Sequence, residues 1–230
     1  MSVPTSPQGS GGEHIPADTL NNPKLIMFYG AGSGAGKSTL SRAIWQRLKD
    51  VRMTGGHHAE EDVLTSEAFA PYVSAVDAGD GSDMDTLWFS CLAFLAISRN
   101  SPGVIVTDSI LPCTDWLVSA GVETEAVVRF AQNLADQMDD IPSLFVFVEC
   151  DVRVAMERAI ADRGGEWARE LAIKRCGSDD LDGLIAYLSR AQVLGLLIWD
   201  RWPHPKIKIV TTHDSPESCE AQISSALGLG

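Results

Sequence analysis

The chain has 230 residues, enough to bury one full α/β core and short for two. Its formal net charge of -13 and pI near 4.7 repel phosphate backbones and anionic lipid. Nucleic-acid and membrane-surface binding are therefore not expected, and cations should gather locally, where phosphates bind. The 5 cysteines are scattered, with no C-x-x-C pair and no histidine at zinc spacing, and read as reduced thiols of a cytoplasmic protein.

In chain order, residues 1–22 lack the basic start and apolar stretch of a signal peptide and are expected to be a flexible tail, leaving one domain over 23–230. Leu25 to Tyr29 is an apolar strand. It runs straight into Ala31-Gly32-Ser33-Gly34-Ala35-Gly36-Lys37-Ser38-Thr39, and a helix follows from Gly36 to about Leu48 with Leu40, Ala43, Ile44 and Leu48 on one face. A short strand is predicted at Val51 to Met53, ending near Gly55-Gly56. The polar group His57-His58-Ala59-Glu60-Glu61-Asp62 comes next, then a helix over Glu67 to Val76. Ser82 with Asp85 offers a capping box for a helix to about Ser98, whose apolar stretch Leu87 to Ile97 is too short to span a bilayer.

A strand over Gly103 to Thr107 ends at Asp108. Val127, Phe130, Ala131, Leu134 and Met138 recur at helical spacing before the strand Leu144 to Val148. Asp151 caps a helix through about Asp162, and beyond Gly164-Gly165 lies a polar, arginine-containing stretch to Asp180. The next helix turns Leu181, Leu184, Ile185, Leu188 and Ala191 inward. Ile207 to Val210 is the last strand, and Ser215-Pro216-Glu217 opens the terminal helix. Strands alternating with helices imply a three-layer α/β fold, a doubly wound parallel sheet of about five strands with helices on both faces and ligands beyond the strands' carboxyl ends.

The glycine-rich segment carries the most specific chemistry. Gly32, Gly34 and Gly36 let backbone N–H groups of the loop, including those of Ser33 and Ala35, turn toward phosphates. Lys37 can reach β and γ oxygens, and Ser38 can ligand Mg²⁺. The strict G-x-x-x-x-G-K-[ST] pattern has Ala31 at its first glycine, with Gly30 just before it. A glycine-rich turn without a ligand is the bland alternative.

The Lys37 loop, the strand-ending Asp108, and the helix with following loop from Asp151 through Arg158 and Arg163 to Glu166 together resemble the nucleoside and nucleotide kinases of the thymidylate kinase and deoxynucleoside kinase type. The resemblance implies the P-loop NTPase fold and a mobile lid at about residues 164–180. It also implies ATP with Mg²⁺ as cofactors, and lid arginines closing on the transferred phosphoryl group. Arg158 and Arg163 match that role best, with Arg169, Lys174 and Arg175 behind them. Those kinases commonly carry an Asp-Arg or Glu-Arg pair after the third strand. This chain reads Thr107-Asp108-Ser109, so a standard nucleoside or thymidylate acceptor does not follow. Asp108 can hold Mg²⁺ through water or accept from a substrate; a turn-capping aspartate is the plainer reading.

In the same family a glutamate after the first helix takes the proton of the acceptor hydroxyl. Glu61 or Asp62 is assigned that role here, with Glu60 close behind and toward the substrate, against the alternative of a solvated charge run. A two-histidine, carboxylate metal site is a weaker rival. Trp88, Phe89 and Phe94 could line an acceptor pocket or simply be core, and Asp115 with Trp116 could approach the acceptor or pack a loop. Trp199, Trp202 and His204 are assigned to the sheet edge, and Thr211 to Asp214 to a loop near the adenine.

Between Asp50 and Asp151 the arginines are Arg52, Arg99 and Arg129, none beside an acceptor motif, which favours a neutral hydroxyl acceptor over a nucleoside monophosphate. The expected partner is thus a small-molecule acceptor, nucleoside-like or another metabolite or antibiotic, with a homodimer left open. A nucleotide-dependent switch binding a protein partner is the alternative of another class, although no N-K-x-D guanine motif occurs.

Overall fold

Five strands pair in parallel in the order β2-β3-β1-β4-β5. They are β1 (Leu25–Tyr29), β2 (Gly55–His58), β3 (Val104–Thr107), β4 (Ser143–Glu149) and β5 (Lys206–Val210) in the computed structural model, which describes residues 23–108, 111 and 114–229. The expected tail over 1–22, Ser109 and Cys113 lie outside the described residues. β1, β3 and β4 read as almost unbroken apolar runs because both faces of a parallel sheet are covered. Phe28, Phe145 and Phe147 are fully buried, each worth about 1.5–3 kcal/mol relative to exposure.

Ten helices connect the described strands: α1 (Lys37–Asp50), α2 (Glu60–Leu64), α3 (Ala70–Asp77), α4 (Met84–Asn100), α5 (Thr114–Ser119), α6 (Thr124–Asp136), α7 (Val152–Arg163), α8 (Gly165–Cys176), α9 (Leu181–Arg201) and α10 (Pro216–Ala226). One face of the sheet packs Met27, Ile105 and Phe145 against α4, α6 and α9. The other packs Ile26, Phe28, Val146 and Ile209 against α1 and α10. Three layers result. A smaller cluster of Met156, Ala168, Ala172, Leu184 and Leu188 joins α7, α8 and α9 beside the site.

The second strand lies further along than predicted: Val51 ends α1, Arg52 takes a left-handed φ of 64°, and the strand runs through Gly55-Gly56 into the two histidines. Gly55, at φ 144°, lies so close to β3 that a Cβ would fall 1.8 Å from Val104 O. The glycines are there for close approach rather than to stop the strand. The helix predicted over Glu67 to Val76 starts later, at Ala70, with Pro71 in the first turn of α3, and the acidic residues 60–62 open a separate short helix, α2, where none was predicted. The cap of α4 is Asp83, which accepts from Thr86 N at 2.9 Å, while Ser82 Oγ donates to Asp80. The polar stretch after Gly164 is largely the ordered helix α8, held through the buried Ala168 and Ala172.

By length and composition α9 is apolar enough to cross a membrane, yet it lies against β4 and the neighbouring helices, with Leu184, Leu194 and Ile198 buried among them.

Candidate active site

The site begins where β1 ends. The glycine loop leaves the sheet at Gly30 and turns through left-handed conformations at Gly32, Gly34 and Gly36, with φ of 70°, 82° and 99°. At Gly34 a Cβ would fall 2.0 Å from Ala155 O, so the loop and the backbone of α7 touch and only glycine fits. No side chain caps α1, which leaves its first N–H groups directed at the loop's concavity, the arrangement that binds phosphate. Lys37 Nζ donates to Gly32 O at 2.8 Å, holding the ammonium over the same concavity. Thr211 Oγ1 donates to Ala35 O at 2.8 Å and ties the loop to the end of β5.

Ser38 Oγ donates to Asp108 Oδ2 at 2.6 Å, across from α1 to the end of β3. Asp108 is buried, and its Oδ1 has no hydrogen-bond partner among the described residues. A hydroxyl and a carboxylate oxygen at the foot of a phosphate loop suit Mg²⁺, which keeps several waters and takes few protein ligands beside phosphate oxygens. The rival two-histidine centre is not assembled. His57 Nε2 lies 2.9 Å from Ser41 Oγ, His58 stands edge-on to Phe94, and no cluster of three metal-binding side chains occurs among the described residues.

A cavity of about 950 Å³ follows the loop from Gly32 through Thr39 to Thr211, Asp214 and Pro216. Arg158 and Arg163 border it from α7. Arg158 donates to Thr212 O at 3.1 Å, and Arg163 donates to Ser33 Oγ at 3.3 Å while its guanidinium lies 4.9 Å from the Trp167 ring. A second cavity of about 140 Å³ opens beside the first. Gly32, Ser33, Lys37, Glu60 and Asp108 line both, so the two meet at those side chains.

The three acidic residues of α2 separate by geometry. Asp62 Oδ2 accepts from Ala59 N at 3.0 Å, stabilising the helix start. Glu61 borders only the larger cavity, and Glu60 borders both. Glu60 is an exposed residue, yet its carboxyl is crowded by the walls of the cleft. That crowding, with Asp108 and Asp115 nearby, pushes its pKa up against the opposing pull of Lys37 and Arg175.

Asp115 and Trp116 line the second cavity. Tyr187 Oη donates to Asp115 Oδ2 at 2.6 Å, and burial together with Asp115 pushes the phenol well above its ordinary range. Trp88 is not there: it packs edge-to-face on Phe130 at 5.6 Å within the α4–α6 core. Phe94 is core as well, and Phe89 faces solvent. Sequence reasoning missed Tyr187 and ranked Arg175 low. Leu171 and Arg175, four residues apart on α8, both face the second cavity, and that i, i+4 spacing was the available signal. The count of arginines that stopped at Asp151 did not reach Arg175.

No protein-family model matches the chain, and no curated protein matches it in sequence. Among solved structures, a shikimate kinase from Acinetobacter baumannii in complex with shikimate aligns with a TM-score of 0.52 at 12% identity, over 93% of this chain and 98% of its own. The chain shares the α/β P-loop fold of that kinase. A deoxyadenosine kinase from M. mycoides with bound dATP aligns with a TM-score of 0.49 at 16% identity, over 89% of this chain and 99% of that one.

Proposed function

We propose that the chain is an ATP- and Mg²⁺-dependent kinase that transfers the γ-phosphoryl group to a hydroxyl of a small molecule. The observation that carries this reading is the meeting of a phosphate-gripping loop and a second, smaller cavity at Lys37, Glu60 and Asp108. A phosphoryl donor and an acceptor held on either side of those residues are in line for transfer. The loop amides bind the phosphates and Lys37 stabilises charge on the transferred group. Ser38 and Asp108 would hold Mg²⁺, which neutralises charge between the terminal phosphates when bound.

Glu60 is the proton acceptor in this reading, ahead of Glu61 and Asp62, because it alone of the three borders both cavities. As the hydroxyl oxygen bonds to the γ-phosphorus, its proton passes to the Glu60 carboxylate and the bond to the ADP oxygen breaks. Arg158 and Arg163 close on the phosphates from α7, with α8 riding on them as a lid, and the segment Thr211 to Asp214 flanks the adenine.

Lys37→Ala tests the reading. ATP turnover with a panel of hydroxyl acceptors should fall by a factor of roughly a thousand or more while the far-UV spectrum stays native. Unchanged turnover in the folded variant refutes it.

A further inference from the structure

The second cavity is lined by charge of both signs, and most of that charge has a partner. Lys37 faces the phosphate loop, where its ammonium meets Gly32 O, and Asp108 accepts from Ser38. Asp115 accepts from Tyr187. Glu60 and Arg175 make no ion pair and no hydrogen bond among the described residues, and the Arg175 guanidinium lies 4.1 Å from the centre of the Trp116 ring. Lys174 lies 5.8 Å from the same ring.

A guanidinium stacked on an aromatic face keeps its N–H edge free, and that edge matches a carboxylate in a two-point bond. The cavity's volume of about 140 Å³ sets the second constraint. It is well below the roughly 300 Å³ at which pockets for drug-sized ligands begin, which favours a compact acceptor over a nucleoside or nucleoside monophosphate. Leu111, Leu171 and Leu188 supply an apolar wall for a short carbon skeleton.

Resting on the kinase reading above, we infer that the acceptor is a compact hydroxy-carboxylic acid whose carboxylate is bound by Arg175 while its hydroxyl faces Glu60. Asp115, oriented by Tyr187, has no partner for its second oxygen among the described residues, and that oxygen can accept from a further hydroxyl of the same molecule. The transfer forms one oxygen-phosphorus bond, breaks the bond to the ADP oxygen, and leaves the hydroxyl proton on Glu60.

The test compares glycerate, threonate and gluconate with glycerol, threitol and sorbitol, the polyols in which a hydroxymethyl group replaces the carboxylate, and with a nucleoside panel. Steady-state kinetics are run on the wild-type chain, Arg175→Met and Arg175→Lys, and binding of a fluorescent ATP analogue is measured in each. At least one acid should be phosphorylated with KM far below that of its polyol. Measured at a pH above the acidic limb, Arg175→Met should raise that KM by roughly ten- to a hundredfold and the polyol KM far less, with ATP-analogue affinity near native. Arg175→Lys should recover part of the loss, because it restores the charge without the planar fork. Equal shifts for acid and polyol, turnover confined to polyols or nucleosides, or no acid turned over by a chain that binds the nucleotide, each overturns the inference and leaves nucleotide binding standing. Failure to bind the analogue at all removes the kinase reading with it.

Discussion

Glu60 shows how much a single residue's surroundings decide. Three acidic side chains in a row are chemically near-equivalent in sequence, but one turn of helix sends Asp62 back to the Ala59 amide and Glu60 forward between the cavities. Glu60→Gln should lower kcat by roughly a hundredfold or more, since the amide keeps the shape and discards the proton acceptor. Asp62→Asn keeps a capping oxygen and should leave kcat near native. The pH dependence has a definite sign. Burial raises the Glu60 pKa, so the carboxylate needed for proton transfer is lost at a higher pH than for an ordinary glutamate. The acidic limb of kcat/KM should therefore lie above the usual carboxylate range, and Glu60→Gln should abolish it. When the nucleotide's phosphates engage Lys37, the nearest opposing charge is spent, so the limb on kcat should lie higher than the limb on kcat/KM.

At the scale of elements, the helices and strands with a strong repeat were legible: β1, β3, β4, α1, α6, α7 and α10 lie where apolar spacing and capping residues put them. The Asp151 cap is one example, its carboxylate accepting from Arg153 N and Val154 N at 2.9 and 3.1 Å. The errors share a cause, namely residues whose local preference is overruled by a distant partner. Gly55-Gly56 looks like a strand stop until Val104 arrives alongside, and α8 lacks an apolar stripe because alanines suffice where it meets α7 and α9. The phosphate loop was legible as contiguous sequence. The acceptor cavity was not, because Glu60, Asp115, Arg175 and Tyr187 come from four separate helices.

The α7–α8 pair makes its own prediction. Arg163 bridges to Ser33 of the loop, yet α8 is held by few buried side chains, so local opening should be cheap. Hydrogen exchange over residues 164–180 should slow when a nonhydrolysable ATP analogue and acceptor bind, while β1 and β4 stay unchanged. Equal exchange in both states would deny α8 a lid role.

For the whole molecule, a ligand that binds the folded state alone stabilises it by mass action. At a hundred times Kd the gain is about 2.7 kcal/mol, which for a domain near this size raises Tm by roughly 5–10 °C. A Mg²⁺–ATP analogue should produce that shift in wild type and a much smaller one in Lys37→Ala. Phosphate charge is otherwise unwelcome on a chain of net charge -13, so the gain should come from the loop and the α7 arginines rather than from the general field.

The two cavities share a short seam and little else. On the kinase reading, nucleotide contacts come from the loop, α1, α7 and the end of β5, whereas the walls unique to the smaller cavity come from the end of β1 with the start of the loop, from Leu111, and from α5, α8 and α9. Most of the smaller cavity's own side chains, Asp115, Trp116, Leu171, Arg175, Leu188 and Ala191, are therefore carried by helices that the larger cavity does not use. If the chain is a kinase as proposed, drift in α5, α8 and α9 would retarget it to a new acceptor without rebuilding its phosphate site, and the same division tells an engineer which helices to randomise and which to leave alone.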